Sequence, residues 1–182
     1  MTLTRDAATE QARRGQRLIV GPWTHADRSG TVGELHFGSA ASDQGARLEQ
    51  AQLDFLRRTV RDDPQEPRGP RVRLFVMGDN VWRDEDEWPL ARTECTPWYL
   101  HAGGALSPER PEESEPSRFT YDPADPTPTV GGATFLAGGP GGVEWAAGPR
   151  DQRAVEARPD VLSFTSAELT EDLEVTGPVT VT

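Results

Sequence analysis

Arg17-Leu18-Ile19-Val20-Gly21-Pro22-Trp23-Thr24-His25 is a strand that stops at a proline and hands a histidine to the loop beyond it. Leu18-Ile19-Val20 favours extended backbone, and Pro22 has no N–H with which to continue a ladder. Trp23, Thr24 and His25 therefore fall just past the strand's C-terminal end. Upstream, residues 5–14 are compatible with a weakly amphipathic helix, and Gly15 is placed to close it in the left-handed conformation. Downstream, from Asp43 to Arg61, Leu48, Ala51 and Phe55 form one stripe and Leu53, Leu56 and Val60 lie beside it, the three-to-four spacing of an amphipathic helix. A Pro-rich hinge, Asp63 to Pro70, leads to Val72-Arg73-Leu74-Phe75-Val76-Met77-Gly78, a strand with Val72, Leu74 and Val76 on one face.

After about residue 90 the pattern changes. Trp98-Tyr99-Leu100, Val161-Leu162-Ser163-Phe164 and Val179-Thr180-Val181 are short apolar runs separated by Gly, Pro, Ser and Asp, the rhythm of an all-β sandwich. Helix with strand first and strands only afterwards predicts two units, 1–90 and 91–182, meeting near Asp84 to Thr96. Ser107 to Ser117 and Gly138 to Gly148 read as loops with little to bury, and no repeat of twenty to fifty residues is present.

The 182 residues carry a formal net charge of −11, and every basic residue is arginine. That balance argues against a nucleic-acid or anionic-membrane surface. The single cysteine, Cys95, permits no intrachain disulfide and no thiolate metal cluster; beside Thr96-Pro97 it reads as a buried small hydrophobe. Met1 to Gln16 lacks the apolar stretch of a signal peptide or membrane span, so a cytoplasmic location is expected, any signal ahead of Met1 being invisible here.

A histidine on a loop just beyond a strand is where an α/β-hydrolase places its general base. By spacing alone His25 also reads as a half-buried loop histidine held by hydrogen bonds. Further residues narrow the choice. The segment 17–25 resembles the strand and loop that deliver the triad histidine in the serine hydrolases of the cocaine-esterase and Xaa-Pro dipeptidyl-peptidase superfamily. Arg71 to Pro89 (RVRLFVMGDNVWRDEDEWP), Tyr121-Asp122-Pro123-Ala124-Asp125-Pro126 followed by Gly131-Gly132, and Asp151-Gln152-Arg153 are similar to the same family. Together these pieces cover nearly all of the chain from Arg17 onward.

The resemblance implies a fold of α/β plus β: the C-terminal edge of an α/β-hydrolase core over 1–90, then the first part of a jelly-roll, galactose-binding-like β-sandwich over 91–182. It implies a Ser-His-acid triad cleaving an ester or amide carbonyl, with no cofactor and no metal, and a small acyl ester or peptide as substrate. Only His25 maps onto that triad. Ser29, Ser39, Ser42, Ser107, Ser114, Ser117, Ser163 and Ser166 all lack the glycines of a G-x-S-x-G elbow, and Asp6 reads as an ordinary helix-start carboxylate rather than the triad acid. The resemblance also places Phe135 and Leu136 in the acyl pocket, the alternative being two core residues of a sandwich strand.

The chain is thus expected to be a fragment, cut at both ends and inactive alone, of an enzyme that hydrolyses acyl esters or, as the second choice, releases X-Pro dipeptides. A non-catalytic β-sandwich that binds sugar through Trp82, Trp88, Trp98 or Trp145 is the alternative from another class, and assembly with a separate N-terminal piece a third. Trp82, Asp84, Glu85, Asp86, Glu87 and Trp88 read as a domain-junction loop rather than a calcium site, because alternating ligands and a closing glutamate are missing. Neither His36 nor His101 has a second ligand at metal spacing. Oligomeric state has no signature.

Overall fold

The computed structural model describes residues 2–60, 69–112, 115–133 and 147–181. Two short helices open the chain, α1 (Thr2–Asp6) and α2 (Glu10–Gly15). Thr9 caps α2, its hydroxyl accepting from the Ala12 N–H at 3.1 Å. Gly15 lies inside the last turn rather than closing it, and the chain leaves through Gln16 in extended conformation (φ −60°, ψ 140°). No left-handed residue is needed there because the backbone runs straight into β1 (Leu18–Val20).

Two short strands, β2 (Thr31–Val32) and β3 (Leu35–His36), form a hairpin, followed by a single 3₁₀ turn at Ser39–Ala41. The amphipathic segment becomes α3 (Leu48–Val60). It starts five residues later than its periodicity predicts, because Arg47 sits at φ 53° and Leu48 N–H closes a separate turn onto Asp43 O at 2.9 Å. The helix then returns the chain to β4 (Val72–Val76), which pairs in parallel with β1, Leu18 opposite Val72 and Val20 opposite Leu74. Parallel neighbours require such a crossover.

β5 (Val81–Glu85) pairs antiparallel with β4 across a tight turn, giving the sheet order β1-β4-β5. The expectation of a junction loop beginning at Trp82 is therefore corrected: Trp82 to Glu85 are ladder residues. Arg73 and Asp84 face each other and bond, which makes acidic residues compatible with a strand here. Only the later part, from Asp86, is irregular.

Alternation along β4 divides the core. Val72 and Leu74 pack with Leu90, Leu18 and Trp88 on one face, while Phe75 packs with Val32, Phe37, Ala41 and Trp82 on the other. Val76, expected beside Val72 and Leu74, is only half-buried. The stripe on α3 contributes little to this core: Leu53, Phe55, Leu56 and Val60 are all exposed. Gly33, in the β2–β3 turn at φ 61°, lies so close to Pro149 that a Cβ would stand 2.2 Å from its carbonyl oxygen, and Glu34 N–H donates to that oxygen at 2.9 Å.

The described residues fall into two compact units, one of those up to Ala91 with those of Gly131–Pro149, the other of those in Arg92–Val130 and Arg150–Thr182. In the second unit β6 (Tyr99–Leu100) and β7 (Leu106–Ser107) pair antiparallel, Ala105 bridges Thr165, and α4 (Arg153–Glu156) is a single turn. Val161–Phe164 and Val179–Val181 are not strands, contrary to their composition. Val179 and Val181 are 77% and 89% exposed, and β propensity has no effect without a ladder partner. Cys95 is exposed, not buried: the residues around it, Glu94 to Trp98, are all on the surface. No helix among the described residues is long and apolar enough to cross a membrane.

Candidate active site

His25 is exposed on the loop that follows β1, at the C-terminal end of a parallel strand, the position its sequence predicts. The loop is closed on itself. Thr24 N–H donates to Asp27 O at 3.1 Å, Asp27 N–H returns to Thr24 Oγ1 at 3.0 Å, and Ser29 N–H binds Asp27 Oδ1 at 2.9 Å. On its downstream side Asp43 N–H donates to Arg28 O at 2.9 Å.

Upstream, Trp23 turns its ring back over Gly21 and donates its indole N–H to Ala41 O at 2.6 Å. Trp82 on β5 donates to the adjacent Ala40 O at 2.8 Å, and the two indoles pack with centroids 5.7 Å apart. Trp82 also meets Phe75 edge-on at 5.3 Å, and Phe75 meets Phe37 at 6.0 Å. In the sequence Trp82 is weighed as part of a sugar platform and Trp23 only as part of the loop that carries His25; their tertiary partners lie too far along the chain for periodicity to reveal.

A constellation that spacing did not reveal joins His101, Ser107 and Glu109. Ser107 Oγ lies 2.9 Å from His101 Nε2 and donates to Glu109 Oε2 at 2.6 Å, while Nε2 is 3.1 Å from the Glu109 carbonyl. A carbonyl only accepts, so Nε2 carries the proton. That nitrogen therefore cannot take the serine proton, which is already given to the carboxylate. The hydroxyl stands between imidazole and acid, whereas a triad needs the imidazole between hydroxyl and acid. The cluster is a loop clasp.

The remaining sequence candidates are dispersed. His36 Nδ1 is 2.6 Å from Thr31 Oγ1 across the small hairpin, and Asp6 pairs with its exposed neighbour Arg5. Phe135, Leu136 and Trp145 lie outside the described residues. No group of three or more His, Cys, Asp and Glu among the described residues could hold a metal. An open groove of about 1310 Å³ runs between α2 and α3, lined by residues such as Ala12, Ile19, Ala51 and Phe55; His25 does not line it.

Two of the motifs quoted from the sequence prove to be structural ties. In Asp122-Pro123-Ala124-Asp125, the first aspartate accepts from Ala124 N–H at 2.9 Å and the second receives Arg158 on its carboxylate and its carbonyl. Arg158 also grips Asp160, whose carboxyl it pulls down to about 2, Thr127 adding to the effect. In Asp151-Gln152-Arg153, the arginine holds Asp151 at about 2 in the same way, and Gln152 donates to Val130 O at 2.9 Å.

Residues 67–182 match the family of the X-Pro dipeptidyl-peptidase C-terminal non-catalytic domain. The chain belongs to this family. The match begins ahead of β4, so the sheet joins strands inside the family domain, β4 and β5, to β1 before it. A relative beyond the domain is the cocaine esterase of Rhodococcus sp. (strain MB1 Bresler), 38% identical over 173 residues that cover 90% of this chain and 29% of that protein. Solved relatives include an alpha-amino acid ester hydrolase, 30% identical with a TM-score of 0.67, covering 88% of this chain and 27% of that one. An aminopeptidase from a marine sediment Thaumarchaeota archaeon is 26% identical with a TM-score of 0.62, covering 81% and 24%. The chain spans less than a third of the length of these relatives. The chain carries the C-terminal non-catalytic domain of this family, whose relatives are hydrolases of the esterase and X-Pro dipeptidyl-peptidase type.

Proposed function

We propose that this chain is the histidine-bearing portion of a serine hydrolase that cleaves acyl esters, with His25 as general base. The single observation that carries the reading is the seat of His25 on an exposed loop at the C-terminal end of β1, parallel to β4 with α3 between them. In open α/β sheets reacting groups collect outside the carboxyl ends of the strands. On this reading residues 1–90 form the C-terminal edge of a hydrolase core and residues 91–182 the beginning of a jelly-roll domain. The serine, the acid and the oxyanion donors belong to sequence outside these 182 residues. His25 takes the serine proton as the hydroxyl attacks the acyl carbonyl, then returns it to the leaving alcohol. The substrate is a small acyl ester, and the enzyme works in the cytoplasm.

Release of X-Pro dipeptides is the second reading, favoured by the name of the matched family and by the aminopeptidase among the solved relatives. The two are separated by assaying the product of the reading frame that contains these residues, extended upstream as far as it runs, against an aryl ester and an X-Pro anilide. Preferred turnover of the ester supports the first reading. Preferred turnover of the anilide replaces it with the second, and a frame without a G-x-S-x-G elbow rejects both.

A further inference from the structure

The His25 loop and β5 are tied to one turn through the side chains of two tryptophans. Ser39–Ala41 is a three-residue turn whose last two carbonyls each accept an indole N–H, Ala41 from Trp23 and Ala40 from Trp82. Ala41 is fully buried, in the cluster of Val32, Phe37 and Phe75, so this turn is a rigid seat. Trp23 is two residues from His25 and Trp82 belongs to β5, opposite Phe75. The ring-to-ring contact at 5.7 Å closes the circuit from sheet to turn to loop.

Gly21 completes it. A Cβ there would lie 2.5 Å from the Cδ2 and Cε2 atoms of Trp23, so the indole reaches the turn only because residue 21 has no side chain.

We propose that Trp82 is a positioning residue for His25, acting through Trp23 and the Ser39–Ala41 turn, with Gly21 as the vacancy that admits the Trp23 ring. This rests on the assignment of His25 as general base only for its catalytic consequence; the mechanical coupling stands on the geometry. A general base must hold its imidazole within hydrogen-bond reach of the nucleophile, and a misplacement of about 1 Å can lower turnover by roughly a hundredfold. Trp82→Phe removes the indole N–H from Ala40 while keeping an aromatic ring against Phe75. Gly21→Ala disturbs the same path from the other end, by displacing the Trp23 ring.

The test is imidazole and amide NMR on the 182-residue chain, in which His36 and His101 serve as internal references. In both variants the His25 ring resonances are expected to move toward their values in a short unstructured peptide, and the heteronuclear NOE of residues 23–27 to fall, with His101 unmoved. Unchanged His25 resonances and loop order in both variants overturn the proposal, as does a change that spreads equally to His101. In the extended gene product, Trp82→Phe is expected to lower kcat by about tenfold or more with KM unchanged; an unchanged kcat overturns it. The two claims fail separately. A loosened loop together with full activity of His25→Ala would reject the general-base role and leave the coupling intact.

Discussion

Arg73 on β4 and Asp84 on β5 lie directly opposite one another and meet through two parallel hydrogen bonds, Nε to Oδ1 at 2.6 Å and Nη2 to Oδ2 at 2.9 Å. The bidentate fork fixes the hairpin register and keeps the Asp84 carboxyl below the usual carboxylate range, the hydrogen bond from Arg73 being the main cause. Half of the Asp84 side chain is exposed, which limits the gain. Asp84→Asn is expected to lower stability by about 0.5 kcal/mol. Urea unfolding followed by tryptophan fluorescence measures it, and a loss several times larger would mean that the register itself had slipped.

Arg158 makes the denser tie, with its side chain 23% exposed and hydrogen-bonded to Asp125 and Asp160 at once. Arg158→Ala is expected to lower stability, because it removes hydrogen bonds to two carboxylates at once. Hydrogen exchange at Asp125 and Asp160 should accelerate first. Protection unchanged at both positions would show that the cluster does not hold the loops together.

Acid acts on the same cluster. The folded Asp160 titrates at about 2 against an ordinary 3.8, so its bonds add stability that is fully present above the higher value and disappears as pH falls through the lower one. Asp151 follows the same sign over the same window through Arg153. Stability should therefore decline between about pH 4 and pH 2, and Asp160→Asn should flatten that decline. A slope in this range that is identical in the variant would assign the acid sensitivity to other carboxylates.

Two apolar side chains of α3 are exposed rather than packed. Leu56 is 52% and Val60 76% exposed, so Leu56→Glu and Val60→Lys together should change stability by no more than about 0.5 kcal/mol while raising solubility. Chemical denaturation and a concentration series in light scattering check the two halves. A large loss of stability would place these side chains against something in solution.

Gly33→Ala is expected to be severe, because it combines φ 61° with a Cβ 2.2 Å from Pro149 O. The backbone conformation alone costs about 1 kcal/mol or more, and the collision must break the Glu34–Pro149 hydrogen bond to be relieved. Loss of amide protection at Glu34, with β4 still protected, is the expected signature. Wild-type protection at Glu34 would contradict the close packing of this turn.

What the residues reveal in advance follows the range of the forces involved. β1, α3 and β4 were legible because strand composition and helix periodicity are local, and so was the loop seat of His25, set by Gly21-Pro22. β5 was missed because Asp84 disfavours a strand unless Arg73 stands opposite it, a relation of register rather than of composition. The sandwich strands at 161–164 and 179–181 failed for the converse reason, apolar runs with no ladder beside them. The tryptophan pair was visible as composition, but its role depends on two carbonyls of a turn that no periodicity identifies.

The central claim is that His25 is a general base, and its most direct test is the hydrolysis of an aryl ester by the extended gene product with and without His25→Ala. The account predicts active wild-type protein and a fall in kcat of about a thousandfold or more in the variant, with folding unchanged by circular dichroism. Hydrolysis by His25→Ala within a few-fold of wild type would contradict it.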